Sequence, residues 1–322
     1  MNKVGITGTG SLVGQAIIKS IMQSKYSNEY FLVGFDYFED TVGSLWCNKN
    51  FILPDILNAK ISENEWLENL ITHIKKEDLE ILFIGVDFEL PILAKHKSFI
   101  EKNTNCKVIV SSENVINISN DKYLTYKFLE DNNLNPPKTF LKNEAFQDQL
   151  NFPLIVKPRV GASSINVFKV NSMDELNEKI QKIDEPIIQE YIGNSANEFT
   201  CGTIMFDEKF YNSIILRRTL SKGNTHIAEH DLPASENITN YLKKVSKKLN
   251  PYGVTNFQLR LDKNNNPRIF EINARHSGTT YMRSLFGYNE VIFILKYILK
   301  EEKMIFDISS GKAVRFFEEK II

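Results

Sequence analysis

The sequence has no surplus of either charge. Its 39 Lys and Arg stand against 40 Asp and Glu, a formal net charge of −1 over 322 residues. So balanced a chain carries no global field toward nucleic acid or an anionic membrane surface. It also lacks any apolar run near the roughly 20 residues that span a bilayer. The opening Met1-Asn2-Lys3 leads straight into Val4-Gly5-Ile6-Thr7, which reads as a first strand and not as the apolar core of a signal peptide. Cysteine is scarce: Cys47, Cys106 and Cys201 lie far apart with no Cys-x-x-Cys spacing, as expected of idle thiols in a reducing cytoplasm. There is no internal repeat and no low-complexity tract.

What is present is an ordinary globular composition, 42% hydrophobic, 11% aromatic and 25% charged, and a length that suggests two or three domains. Short β-rich runs at 4–7, 31–35, 81–86 and 108–111 are separated by helical patterns around 12–24, 64–76 and 90–102. Such alternation predicts a parallel, doubly wound sheet that closes near residue 111. A helix capped at Asn120 or Asp121 follows, running toward Pro136-Pro137, then a strand at 153–157 and a helix opened by the box Ser172-Met173-Asp174-Glu175. From 186 onward strands dominate and the pattern turns antiparallel, with helices at 237–249 and 289–300 and a closing strand in the tail "KAVRFFEEKII".

The chemistry gathers in two strands. "VTNFQLRLD" (254–262) and "IFEINAR" (269–275) both alternate, and "KNNN" between them is a turn segment, so they should form a hairpin. With a four-residue loop Asp262 faces Pro267 and Gln258 faces Glu271. Gln258, Glu271 and Asn273 then share one face, which alone reads equally as a solvated hairpin surface or as hard oxygen ligands that suit Mg²⁺ and not zinc. One charged ligand alone holds the ion weakly, so phosphate oxygens would complete the site. Arg275, two residues on, is placed to meet phosphate charge. "LIVKPRVGASS" (154–164) adds a lysine at the end of an apolar strand and a loop of small residues whose N–H groups can approach an anion.

"NDKYLTYKFL", "FPLIVKPRVGASS", "IIQEYIGNSANEFT", "NFQLRLD" and "IFEINAR" occur in the order and approximate spacing of the ATP-grasp superfamily. Over residues 1 to about 300 the chain resembles its carbamoyl-phosphate-synthase-like branch. The resemblance implies an α/β plus α+β architecture. A Rossmann-like domain (1–111) would precede a two-subdomain ATP-grasp fold, with an N-terminal subdomain (112–190) and a C-terminal subdomain (191–322). It implies ATP and Mg²⁺, with Mn²⁺ as an alternative, as cofactors. Lys122 and Lys157 would approach the nucleotide phosphates, with Arg159, Gly161 and Ser163 beside them. The linker Glu190-Tyr191-Ile192 would offer backbone groups to the adenine edge, and Leu259 would also bind the nucleotide. Glu198 would take the ribose hydroxyls, and His226, in a lid loop of about 221–235, would contact nucleotide. Gln258, Glu271 and Asn273 would hold the metal, and Arg275 with Lys157 would be catalytic. The loop departs from the family where Ser163 and Asn166 replace glycines. Only one nucleotide-binding module is present, which excludes a full carbamoyl-phosphate synthase.

One further motif competes. "GITGTGSLVG" sets Gly8, Gly10 and Gly14 after a strand, with Asp36 22 residues beyond Gly14, close to a dinucleotide fingerprint. The same turn serves simply to pack strand on helix, and the resembling branch carries such a domain without a dinucleotide. Asp87 and Glu89 follow the third strand, either lining a second-substrate pocket or decorating a helix start. The leading expectation is an ATP-dependent carboxylate–amine (or thiol) ligase acting through an acyl phosphate. The alternatives are an NAD(P)-dependent oxidoreductase or a non-catalytic ATP-binding protein. The expected partners are a small carboxylate and an amine, with no nucleic acid and no membrane, in a protein that can form a homodimer. Arg217, Arg218 and Arg275 point to an anionic acid such as an amino acid or a sugar acid.

Overall fold

Strands β1 (Asn2–Thr7), β2 (Tyr30–Asp36), β3 (Lys49–Ile52), β4 (Ile81–Phe83) and β5 (Lys107–Val108) form a parallel sheet in the order β3-β2-β1-β4-β5. Val4, Ile6, Ile81 and Phe83 are buried on one face and Val33, Phe35 and Leu82 on the other, the signature of a parallel sheet covered by helices. In the computed structural model residues 1–145, 150–161, 165–230 and 235–319 are described. Among them no helix is long and apolar enough to cross a membrane.

A second sheet of four strands, in the order β6-β9-β7-β8, is built from β6 (Thr139–Leu141), β7 (Leu154–Pro158), β8 (Phe168–Val170) and β9 (Pro186–Glu190). The third has six, in the order β14-β13-β10-β11-β12-β15. It comprises β10 (Glu198–Phe206), β11 (Lys209–Ser221), β12 (Asn224–His230), β13 (Gly253–Leu261), β14 (Pro267–Asn273) and β15 (Gly311–Val314). All its pairings are antiparallel. The α/β plus α+β architecture is therefore present, and a shared core links the parallel sheet with the helix Ser235–Leu249 and the inner face of β13 and β14.

Helix starts follow their caps. Asp121 accepts from the N–H groups of Tyr123 and Leu124 and opens Lys122–Asp131, and Ser172 accepts from Glu175 to open Met173–Ile180. The short strands β3, β6 and β8 are absent from the sequence pattern, because three or four residues give too little alternation to detect. The tail contributes only Gly311–Val314 as strand.

The expected lid loop is corrected. Residues 221–230 are a β-hairpin: Ser221 pairs with Asn224 across Lys222 and Gly223, both at positive φ, a two-residue turn that fits the strand twist. Residues 231–234 lie outside the described residues.

Candidate active site

The β13–β14 hairpin is the shared wall of two clefts. Gln258 and Glu271 line both, and they pair directly across the strands as the alternation predicts. The turn itself differs from expectation. Leu261, not Asp262, faces Pro267, because the Asp262 carboxylate accepts from the N–H groups of Asn264 and Asn266 and holds a five-residue loop. The register then shifts by one at Phe270, a bulge that restores the Gln258–Glu271 pair.

The bulge reorganises the first cleft, which lies between the four-stranded and six-stranded sheets. Phe270 lines it, whereas strict alternation from Glu271 would have aimed that ring at the opposite face. The Phe270 carbonyl accepts from Lys157 Nζ at 3.3 Å, and Gln189 Oε1 accepts from the same ammonium at 2.8 Å. Lys157 is buried, and burial is the largest influence on its ammonium. Lys122 and Arg260 add repulsion, Glu271 and Glu198 oppose it, and the pKa falls to about 7. Lys122 Nζ reaches 2.8 Å to the carbonyl of Gly161, and its pKa too is lowered by burial, against the pull of Glu271, Asp121 and Asp87. It is the first residue of its helix, where the dipole disfavours a cation. Gly161 lies at φ +146°, a backbone that side-chain-bearing residues rarely adopt.

Tyr191 stacks between Lys169 and Arg260, at 4.2 Å and 4.8 Å from its ring centre. With Pro137, Ile155, Val167, Ile192 and Leu220 it gives the cleft an apolar wall beside the Glu190–Ile192 backbone. Glu198 faces the cleft with both oxygens engaged, Oε1 by Arg218 and Oε2 by Arg260, each through two guanidinium nitrogens. Burial raises its pKa, but the two arginines outweigh that and hold it below the usual carboxylate range.

Three expected contacts are absent from the cleft wall. Arg159 is drawn to Asp121 in an ion pair at 2.7 Å. Leu259 is wholly buried in the core on the far face of β13, as its alternation with Gln258 and Arg260 dictates, and does not line the cleft. His226 is exposed because it is the unpaired residue where the β11–β12 register shifts, between Thr225, which lines the second cleft, and Ile227. Ser163 lies outside the described residues. Gln189, Arg218 and Arg260 line the cleft although the motifs did not single them out for it. Their signal was alternation: Gln189 sits on the same strand face as Ile187, and Arg260 follows Gln258.

The second cleft, of about 520 Å³, lies between the hairpin and the carboxyl ends of β1 and β4. Asn273 and Arg275 belong to it. Both oxygens of Asp87 accept from Arg275, Oδ2 at 3.0 Å. Glu89 is instead buried beneath it, accepting from Thr7 and from Tyr37 Oη, and burial pushes its pKa up to about 7.

The metal-ligating set can be tested on its own contacts. Asn273 Nδ2 donates to Glu271 at 2.9 Å and Gln258 Nε2 at 3.4 Å, so two amides converge on one carboxylate, while Gln258 Oε1 accepts from Arg218 Nη2 at 2.7 Å. Turning the two amides would present oxygens in place of NH₂ groups. Three hard donors with one charge fit a divalent cation that shares its shell with phosphate.

The glycine turn has spent its acidic residue. Asp36 Oδ2 accepts from Thr9 Oγ1 at 2.8 Å, Gly10 N at 2.6 Å and Thr41 Oγ1 at 3.1 Å. A Cβ on Gly43 would lie 1.6 Å from the Thr9 carbonyl, so the short helix Val42–Leu45 presses directly on the turn where a dinucleotide would run.

The model of the ATP-grasp domain family matches residues 119–279, half of the chain. The chain belongs to the ATP-grasp family. Carbamoyl-phosphate synthase of Methanobrevibacter smithii is 23% identical over 222 residues, 64% of this chain and 59% of the relative. The chain thus spans well under two thirds of that relative's length. D-alanine–D-alanine ligase of Bacillus anthracis is 24% identical over 210 residues, 60% of this chain and 67% of the relative. Among solved structures, L-amino acid ligase from Bacillus licheniformis superimposes with a TM-score of 0.74 at 19% identity, covering 93% of this chain and 74% of the other. At that identity the likeness is one of fold.

Proposed function

We propose that this ATP-grasp protein is an ATP-dependent carboxylate–amine (or carboxylate–thiol) ligase. The observation that carries the reading is the hairpin's position: Gln258 and Glu271 face a lysine-lined cleft on one side and a separate small-molecule cleft on the other. One wall can therefore hold a phosphate and the group that receives it. The fold neighbours include an L-amino acid ligase, and a matched relative is a D-alanine–D-alanine ligase.

In the reaction a substrate carboxylate oxygen attacks the γ-phosphorus of ATP. The bond to the bridging oxygen breaks, leaving ADP and an acyl phosphate. The amine nitrogen then attacks the acyl carbon, the carbon–oxygen bond to phosphate breaks, phosphate departs and the amine proton passes to solvent. A divalent cation held by Gln258, Glu271 and Asn273 would neutralise charge on the transferring group. The chain's own groups bind and orient. The apolar wall at Tyr191 and Ile192 receives the adenine with the Glu190 backbone, and Glu198 and Arg260 lie beside the ribose. Lys122 and Lys157 take the phosphates, and Arg275 borders the acyl group.

The test is ATP-dependent phosphate release with pairs of carboxylates and amines. Release that requires both partners and yields an amide is expected. A protein that binds Mg·ATP yet releases phosphate with no pair would overturn the reading in favour of a non-catalytic binder.

A further inference from the structure

The second cleft opens where the parallel sheet reverses its strand order, between β1 and β4, the place at which doubly wound sheets receive ligands. Three arginines line it, and two of them are neutralised. Arg218 is paired with Glu198 and Arg275 with Asp87. Arg315, one residue past β15, is different. Its Nη2 donates to the Gly278 carbonyl and touches Met282 sulfur at 3.8 Å, and among the described residues no carboxylate lies within ion-pair distance. Burial alone shifts its pKa, downward, with no charge to oppose it.

A half-buried guanidinium with a carbonyl and a thioether for company is electrostatically incomplete. Its surroundings indicate what completes it. Built onto Gly278, a Cβ would lie 3.7 Å from Arg315 Nη2 and 3.5 Å from Leu12 Cβ, so the cation faces an aliphatic residue of the parallel-sheet domain across a bare backbone. Val13 and Val86 continue that apolar side. Arg315 also stands outside residues 119–279, so the family match assigns it nothing.

We propose that Arg315 binds a non-reacting carboxylate of a small, partly apolar substrate in the second cleft. Two sources share that chemistry: the α-carboxylate of an amino-acid acceptor and the second carboxylate of a dicarboxylic acid. The proposal rests on the ligase reading for the identity of the cleft, but a charge preference can be measured without turnover.

The experiment measures thermal-midpoint shifts and binding for the full chain, with and without Mg·ATP. One arm compares L-amino acids with their C-terminal amides; the other compares succinate and glutarate with their monomethyl esters. At least one carboxylate should bind about tenfold or more tightly than its neutral counterpart, the usual scale for a charge-assisted bond. Arg315→Gln, which keeps a donor for the Gly278 carbonyl, should erase that preference, and Arg315→Lys should retain much of it. The proposal is overturned if Arg315→Gln retains the preference, if acids and neutral counterparts bind wild type equally, or if none binds. Failure of Mg·ATP to shift the midpoint would fall on the ligase reading instead, because carboxylate preference is also read without nucleotide.

Discussion

Arg275 clasps Asp87 through two nitrogens, joining the β13–β14 hairpin to the segment that follows β4 of the parallel sheet. The partners lie 188 residues apart in sequence, so the pair links the two halves of the second cleft. Asp87 is partly exposed, which limits what the pair contributes to folding. A double-mutant cycle of Arg275→Met and Asp87→Asn should give a stability coupling of about 0.5–1 kcal/mol, read by urea unfolding. Its effect on phosphate release should be larger: Arg275→Met is expected to lower kcat at least about tenfold, Asp87→Asn less. Equal losses in both variants would show that the clasp, and not the guanidinium, matters to turnover.

Lys157 sets a pH dependence. Its pKa near 7 comes mainly from burial, and phosphate oxygens would raise it. ATP binding should therefore take up a proton around neutral pH. Affinity should be greatest below pH 7 and decline as pH rises from there toward the pKa of the bound state. Calorimetry in buffers of different ionisation enthalpy checks this: proton uptake near pH 7 that disappears in Lys157→Met is the expected outcome. An uptake unchanged in Lys157→Met would place the titrating group elsewhere.

Metal dependence should be concentrated in one residue. Glu271→Gln removes the only charged member of the oxygen set and should abolish phosphate release with the midpoint nearly unchanged. Gln258→Ala should be milder, since water can replace a neutral ligand. Chelation with EDTA should stop wild-type turnover, and Mg²⁺ or Mn²⁺ should restore it. Full turnover in a folded Glu271→Gln protein would remove the hairpin from the metal site.

The glycine turn gives the opposite kind of prediction. Because Asp36 ties together Thr9, Gly10 and Thr41, Asp36→Ala should cost stability, about 1–3 kcal/mol for stranding a buried donor. NAD and NADP should leave the wild-type midpoint unmoved while Mg·ATP raises it. A shift with NAD that Asp36→Ala abolishes would reinstate the oxidoreductase.

Much of this was legible in the sequence because periodicity is a strong signal over long elements. The parallel sheet, the helix opened by Asp121 and the Gln258–Glu271 pair all follow from alternation and capping. What was hidden depended on single backbone events. Leu259 faces the core by simple alternation with Gln258 and Arg260, whereas a one-residue bulge in β14 turned the Phe270 ring into the cleft. A two-residue turn at Lys222-Gly223 made strands where a lid loop was expected, and a one-residue register shift left His226 unpaired and exposed on β12. The tail reads as a closing strand, but which cleft Arg315 meets is decided by the pairing of β12 with β15, a contact between segments more than eighty residues apart that no local pattern encodes.

The bulge at Phe270 has a consequence for how the site can be mapped. What anchors Lys157 there is a main-chain oxygen, released from the ladder by the extra residue. Every amino acid carries that oxygen, so a scan that trims side chains one by one would record position 270 only as a ring against the cleft. The contribution of its carbonyl would become visible as the difference between Phe270→Ala, which removes only the ring, and deletion of Phe270, which also straightens the strand and withdraws the acceptor while leaving every side chain of the oxygen set in the chain.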